Sequence, residues 1–85
     1  MRLDKFLKVS RIIKRRALAK EVCDNGRVLI NGKPAKASSD VSVGDELEIR
    51  FGQKSVTFLV ELIKDTTRKE EADSMYRILS EKPVE

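Results

Sequence analysis

Residues 15–33 read RRALAKEVCDNGRVLINGK, and this stretch carries the strongest structural signals in the chain. Its first part predicts a helix over about residues 15–24, and Asn25-Gly26 predicts the end of that helix because both residues tolerate the left-handed backbone. The β-branched run over residues 28–30 then predicts a short strand, and Asn31-Gly32 is typical of a tight hairpin turn. The inner apolar stripe of the helix consists of Leu18, Ala19, Val22 and Cys23.

Another helix is predicted earlier in the chain, over residues 2–12, because apolar side chains recur there at helical spacing. Its stripe consists of Leu3, Phe6, Leu7 and Ser10. The connector that follows holds Lys14 and the apolar pair Ile12-Ile13, which we expect to pack against the core. If the two helices pack on their stripes, their outer faces form one continuous surface.

The middle of the chain alternates between apolar and polar residues, as half-buried strands do. The return segment over residues 33–36 contains Pro34, which lacks a backbone donor and therefore predicts an edge strand or irregular structure. A turn over residues 43–46 and a second turn at Gly52-Gln53 bound two further strands, which form a second hairpin. The inward-facing residues of these strands are Leu47, Ile49, Phe51, Val56, Phe58, Val60 and Leu62.

The tail from residue 65 changes character and predicts a polar C-terminal helix that ends at Pro83. Thr67 and either Glu70 or Glu71 are possible capping partners at its start. The narrow apolar stripe consists of Met75, Ile78 and Leu79, extended by Ala72 and Tyr76. This helix either docks on the edge of the sheet or binds a partner. We expect an α+β fold in which residues 1–64 form the domain and residues 65–85 belong to the same unit.

Composition excludes several classes of protein. The chain has 85 residues, one cysteine and no histidine, so it offers no internal disulfide, no usual zinc site and no triad with a histidine base. No stretch approaches the roughly 20 apolar residues of a membrane span, and no signal peptide is recognisable at the start. The glycines form no phosphate-binding loop motif, and Cys23 reads as a buried apolar residue. We therefore expect a cytoplasmic, monomeric binding protein without enzymatic activity or cofactor.

Charge is concentrated at one end of the sequence. Residues 1–36 hold eleven cations and three anions, a net charge of +8, whereas residues 37–85 have a net charge of −4. A basic segment beside an acidic remainder is typical of a surface that binds a polyanion such as nucleic acid. The candidate RNA-binding residues are Arg2, Lys5, Arg11, Lys14, Arg15, Arg16, Lys20 and Arg27.

The kind of nucleic acid follows from what accompanies these cations. The chain has one tyrosine, three phenylalanines and no tryptophan, so base stacking on a single strand is not expected. Residues 15–24 contain neither Asn nor Gln, which a helix that reads the DNA major groove would need. Recognition of phosphates and shape in folded RNA fits best. The alternatives are a DNA-binding regulator, an anionic membrane surface, or a protein-interaction module whose RNA binding is incidental.

Three motifs resemble the S-four RNA-binding domain, a family named after the small-subunit ribosomal protein. Residues 15–33 resemble the core of that domain, with Arg15 where the family usually has serine. Residues 1–7 resemble its Arg-Leu-Asp-x-x-Leu opening, and residues 43–47 resemble its Val-x-x-Gly-Asp signature. The resemblance covers roughly residues 1–51, and it implies a pair of helices packed on a small, mostly antiparallel sheet.

The resemblance also implies a function. Most relatives carry this domain beside a catalytic domain, and the whole chain, tail included, resembles stand-alone bacterial members that act in ribosome-associated quality control. It implies binding to large-subunit rRNA and peptidyl-tRNA on obstructed subunits, in support of the alanine tailing carried out by RqcH. A heat-shock-type factor that rescues blocked large subunits is the alternative within the family. Arg2 and Arg16 are the main candidates for RNA contact, and Asp4 either orients them or caps the first helix.

Overall fold

Two short helices open the chain in the computed structural model, which describes residues 1–65 and 68–83. Helix α1 (Leu3–Val9) buries Leu3, Phe6 and Leu7, as its spacing predicts. It is shorter than expected because Arg11 adopts a left-handed backbone, φ 62°, that stops the helix. Ser10 is buried, and its hydroxyl donates to the carbonyl of Leu7 at 3.3 Å, which satisfies this polar group inside the core.

Helix α2 (Arg16–Asp24) packs against α1 through its smallest apolar side chains, Ala19 and Cys23. The expectation that Leu18 belongs to the inner stripe is wrong, because 49% of this residue is exposed. Ala19 and Cys23 lie one turn apart at the middle of the stripe, which leaves Leu18 and Val22 at its margin. The predicted stop is confirmed, since the helix ends at Asp24 and Gly26 has φ 74°.

The hairpin that the Asn-Gly pair predicts is confirmed. Strand β1 (Val28–Ile30) pairs with β2 (Lys33–Pro34), and the two turn residues both have positive φ, 51° at Asn31 and 81° at Gly32. Pro34 lies on the edge strand, as its missing donor requires. Asn31 also ties the turn to the next strand, because its side-chain oxygen accepts from the backbone N–H of Glu46 at 2.9 Å.

In the part of the chain that the structure describes, five strands form one antiparallel sheet in the order β2-β1-β3-β4-β5. The second hairpin is confirmed: β3 (Glu46–Phe51) pairs along its whole length with β4 (Lys54–Val60). We call the side of the sheet covered by the helices the inner face and the other side the outer face. The buried inner-face residues of the three central strands are Val28, Leu47, Ile49, Val56, Phe58 and Val60. Together with the apolar stripes of α1 and α2, they form a single hydrophobic core.

The tail is where the structure departs most from the sequence-based expectation. Among the described tail residues 68–83, only α3 (Lys69–Ala72) is α-helical, a 3-10 turn spans Asp73–Met75, and β5 (Tyr76–Pro83) is a strand rather than the end of a helix. Strand β5 pairs with the whole of β4, so the backbone bonds of a seven-residue strand outweigh the weak helical pattern. The proposed capping residue Thr67 lies outside the described residues. The α+β class, with a helix pair on an antiparallel sheet, is confirmed.

No helix within residues 1–65 and 68–83 combines the length and the apolar character that crossing a membrane requires.

Candidate RNA interface on the helix pair

A buried carboxylate joins the two arginines that the sequence motifs single out. Asp4 is only 3% exposed. Its Oδ1 lies 3.2 Å from Nε of Arg2, and its Oδ2 lies 3.5 Å from Nε of Arg16. Oδ1 also accepts from the backbone N–H of Lys5 at 2.8 Å. One side chain in α1 therefore holds a guanidinium from the chain start and another from the first residue of α2.

Asp4 has both of the roles expected for it. Helix α1 begins after Arg2, whose side chain makes no capping hydrogen bond, and Oδ1 of Asp4 accepts from the free backbone N–H of Lys5 in the first turn while the same carboxylate also holds the two arginines. The side chains of Arg2 and Arg16 both remain 51% exposed. A guanidinium has five N–H donors in a rigid fork, and Asp4 engages only part of each fork. The remaining donors face solvent in a fixed arrangement that suits phosphate oxygens.

The other predicted residues of the two helices and their connector are exposed cations as well, apart from Lys5. Arg11, Lys14 and Arg15 are exposed on the connector, and Lys20 is exposed one turn after Arg16 on the same side of α2. Within the described part of the chain, none of these four forms an ion pair, so their charges remain available to a ligand. We call the surface formed by Arg2, Lys5, Arg11, Lys14, Arg15, Arg16 and Lys20 the helix-pair surface.

Two of the predicted residues differ from this group. Lys5 is half-buried, and its Nζ lies 3.3 Å from Oδ1 of Asp65, so its charge is partly satisfied inside the protein. Arg27 lies elsewhere, next to β1, and its carbonyl accepts from the backbone N–H of Arg50 in β3 at 2.9 Å. The prediction omitted Lys8, which is exposed on α1 three residues after Lys5. In the sequence, only the position of Lys8 outside the apolar stripe of α1 indicates that its side chain is exposed.

The aromatic side chains do not offer a stacking platform. Phe6 and Phe58 are buried, and Tyr76 packs edge-on against Phe58 with ring centroids 5.3 Å apart. Phe51, the remaining aromatic residue, is partly buried against the core. The interface therefore consists of cations on a rigid scaffold, which favours phosphate and shape recognition over base stacking.

Cys23 is the strongest candidate for chemistry, and its surroundings make it unreactive. The residue is 1% exposed. Burial, with smaller contributions from the charges of Asp4 and Asp24, raises the pKa of its thiol to about 12. The reactive thiolate is therefore scarce at neutral pH. Across the described residues, no three His, Cys, Asp or Glu side chains gather in a way that would hold a metal ion.

Comparisons with known proteins agree with this architecture. Residues 1–47 match the S4 domain family. A protein named RQC P-site tRNA stabilizing factor from Bacillus subtilis is 71% identical over 84 residues, which cover 99% of this chain and 98% of that protein. The protein of the same name from Halalkalibacterium halodurans is 61% identical over 84 residues, covering 99% of this chain and 96% of that one.

A solved structure shows the same fold. The trimeric structure of heat shock protein 15 from Vibrio cholerae superimposes with a TM-score of 0.86 at 37% identity and covers 94% of this chain and 82% of that one. The family that the sequence motifs suggested is thus confirmed. This chain belongs to the S4 domain family and, within it, to the family of RQC P-site tRNA stabilizing factors.

Proposed function

We propose that this protein is a non-enzymatic RNA-binding factor of the large ribosomal subunit. It binds rRNA and peptidyl-tRNA on obstructed subunits and thereby supports alanine tailing of stalled nascent chains. The observation that carries this proposal is the pair of half-exposed arginines that one buried carboxylate holds at the head of a basic surface. The name shared by the B. subtilis and H. halodurans relatives supports the assignment to P-site tRNA and to ribosome-associated quality control.

The binding mechanism follows from the charges. Each cation that contacts a phosphate releases counterions, so affinity falls steeply with salt. Arginines that are already oriented lose less side-chain entropy on binding than free ones, which strengthens the contact without adding area. A factor that contacts rRNA and tRNA together gains further affinity, because the second contact forms at a high effective concentration.

The partners follow from this role. The large subunit supplies the rRNA, peptidyl-tRNA lies in its P site, and RqcH adds the alanines while this protein keeps the tRNA in place. The protein acts in the cytoplasm as a monomer. The buried thiol of Cys23 supports a factor without catalytic activity of its own.

Sedimentation of the tagged protein with cell extract on a gradient tests the proposal. The variants are Arg2→Ala/Arg16→Ala and, as a control with the same loss of charge, Lys54→Ala/Lys64→Ala, whose lysines pair with Glu81 and Glu71. The wild type and the control are expected with large subunits that carry peptidyl-tRNA, and the arginine variant at the top. Equal behaviour of all three proteins would mean that the helix-pair surface does not determine binding.

The proposed role in alanine tailing needs a second experiment. Obstructed large subunits, purified RqcH and alanyl-tRNA are mixed with each protein, and the length of the alanine tail is measured. Longer tails with the wild type than with Arg2→Ala/Arg16→Ala support a role in tailing. Binding without any effect on tail length would leave an RNA-binding factor of the subunit and remove the tailing function.

The heat-shock-type factor is the second candidate, because the V. cholerae protein shares the fold so closely. Coverage favours the first candidate. Heat shock protein 15 from Escherichia coli is 38% identical, and the match covers 51% of its length, against 98% for the B. subtilis factor. The tailing assay separates the two, since only the first candidate requires RqcH. The third possibility, a protein-interaction module, predicts binding that depends little on salt or on Arg2 and Arg16.

A further inference from the structure

The outer face of the sheet carries its own row of cations, which the helix-pair surface does not include. In the register of the sheet, Val28 pairs with Ile49, which places Arg27 opposite Arg50. Arg50 pairs with Ser55 on β4, and Ser55 pairs with Lys82 on β5. One line across the sheet therefore contains Arg27 next to β1, Arg50 on β3, Ser55 on β4 and Lys82 on β5. Three of these four residues are cations. We call these three residues the cationic row.

Alternation along the strands places this row on the outer face. Ile49 and Val56 are buried on the inner face, so their neighbours Arg50 and Ser55 point to the other side. Val28 is buried as well, which places Arg27 on the outer face too. The helix-pair surface belongs to helices that cover the inner face. The two basic surfaces therefore lie on opposite sides of the sheet.

The cations of the row have no partner inside the described part of the protein. No carboxylate there forms an ion pair with Arg27, Arg50 or Lys82, and all three residues are exposed. The nearest acidic residue in the register, Glu48, accepts a hydrogen bond from Ser55 at 3.0 Å instead. Like charges directly opposite each other on neighbouring strands destabilise a sheet. Arg27 and Arg50 repel each other, and a bound external anion would reduce this repulsion.

We infer that the cationic row binds the phosphate backbone of a second RNA segment while the helix-pair surface binds the first. This inference rests on the proposed function and adds to it the place of the second contact. Two guanidiniums side by side offer forked donors to phosphate oxygens. The residue between Arg50 and Lys82 is Ser55, so the row provides no apolar anchor of the kind that protein partners use. With strands about 4.8 Å apart, the row is roughly 14 Å long and contacts more than one phosphate.

The test asks whether one protein molecule bridges two RNAs. The probe is a short A-form RNA hairpin, one batch labelled with a donor fluorophore and one with an acceptor. The variant Arg50→Gln/Lys82→Gln leaves every helix-pair residue in place. The control Lys54→Gln/Lys64→Gln removes the same charge from lysines that are already paired with carboxylates.

The expected result is energy transfer with the wild type and the control, and hairpin binding without energy transfer with Arg50→Gln/Lys82→Gln. At RNA concentrations high enough to restore energy transfer to the row variant, the slope of log affinity against log salt for the second hairpin is expected to be flatter by roughly 1.4–1.8, at about 0.7–0.9 per lost phosphate contact. The melting temperature of the row variant should not fall, because the change removes a like-charge pair rather than a structural bond.

Four outcomes would overturn the inference. A row variant that transfers energy as well as the wild type means that these cations do not hold RNA. A wild type that binds a single hairpin, sensitive to Arg2 and Arg16 alone, removes the second surface and leaves the proposed function intact, whereas a wild type that binds no RNA removes both. Polyglutamate serves as the probe for an acidic protein. If it leaves the RNA hairpin on the helix-pair surface in place but binds the cationic row more tightly than the hairpin does, the occupant of the row is an acidic protein and not RNA.

Discussion

The most informative single change is Asp4→Asn, because it keeps the shape of the side chain and removes the charge that orients two arginines. Asn still accepts the backbone N–H of Lys5, which now bonds to Oδ1 of Asp4 at 2.8 Å. It loses the charge in the contacts to Arg2 and Arg16, at 3.2 and 3.5 Å. Both arginine side chains are half exposed, so water screens part of this loss. We expect a cost of about 1–2 kcal/mol in unfolding free energy.

Asp4→Asn changes the affinity for RNA in two opposing ways. Without the carboxylate, each arginine must be ordered by the RNA itself, at about 0.5–1.5 kcal/mol per side chain. Two side chains therefore weaken binding by about 1–3 kcal/mol, or roughly 5- to 150-fold. The lost negative charge acts in the other direction, since it repels phosphates in the wild type. The ordering effect is larger because Asp4 is buried and already neutralised by two cations.

Salt titration of RNA affinity separates these effects. Asp4→Asn keeps both arginines, so its plot of log affinity against log salt should lie below that of the wild type with the same slope. Arg2→Ala removes a contact and should flatten the slope by roughly 0.7–0.9. Asp40→Asn is the matched control, because Asp40 is an 88% exposed carboxylate that pairs with the N-terminal ammonium. If Asp4→Asn binds RNA as tightly as Asp40→Asn does, the orienting role of Asp4 is refuted.

The remaining predictions concern the scaffold. Phe6→Ala should lower the unfolding free energy by about 3–5 kcal/mol in chemical denaturation, because the ring is completely buried between the helices and the sheet. Asn31→Ala should lower the unfolding free energy by about 1–2 kcal/mol, since it loses the bond to the N–H of Glu46 and puts alanine, which tolerates the left-handed backbone less well than asparagine, at φ 51°; Asn31→Gly, measured beside it, should recover the backbone part of that loss. Cys23 favours its protonated form in the folded state, because burial raises the pKa of its thiol from an ordinary value of 9.0 to about 12. Its contribution to stability is therefore fully present below pH 9 and is lost as the pH rises towards 12, and a Cys23→Ala variant should lack this part of the pH dependence in denaturation curves.

Local signals were sufficient for the first half of the fold. The stripe of α1, the stop at Asn25-Gly26 and the turn at Asn31-Gly32 depend on residues within a few positions of each other, and the structure confirms all three. The tail failed for the opposite reason. Residues 76–83 carry an ambiguous apolar pattern, and only pairing with β4, far away in the sequence, decides that they form a strand.

The candidate site divides in the same way. Arg2 and Arg16 could be named from motifs, but their shared bond to Asp4 depends on how α1 and α2 pack. The sequence groups Arg27 with the cations of the two helices as a candidate RNA-binding residue. Its pairing opposite Arg50 places it on the outer face instead, and a strand register cannot be inferred from charge counts.

The loop over residues 35–41 explains why Asp4 can orient the arginines without being needed to bring them together. The backbone N–H groups of Leu3 and Asp4 donate to the carbonyls of Ser39 and Ala37, at 2.8 and 3.2 Å. The N–H of Ala37 in turn donates to Oδ1 of Asp24 at the end of α2, at 3.3 Å. This loop thus ties the start of α1 to α2 through two backbone bonds and one bond to the Asp24 carboxylate, none of which involves either arginine. The positions of Arg2 and Arg16 are fixed by the scaffold, and Asp4 sets only the direction of their side chains. For that reason Asp4→Asn should weaken RNA binding while the positions of the two helices stay unchanged.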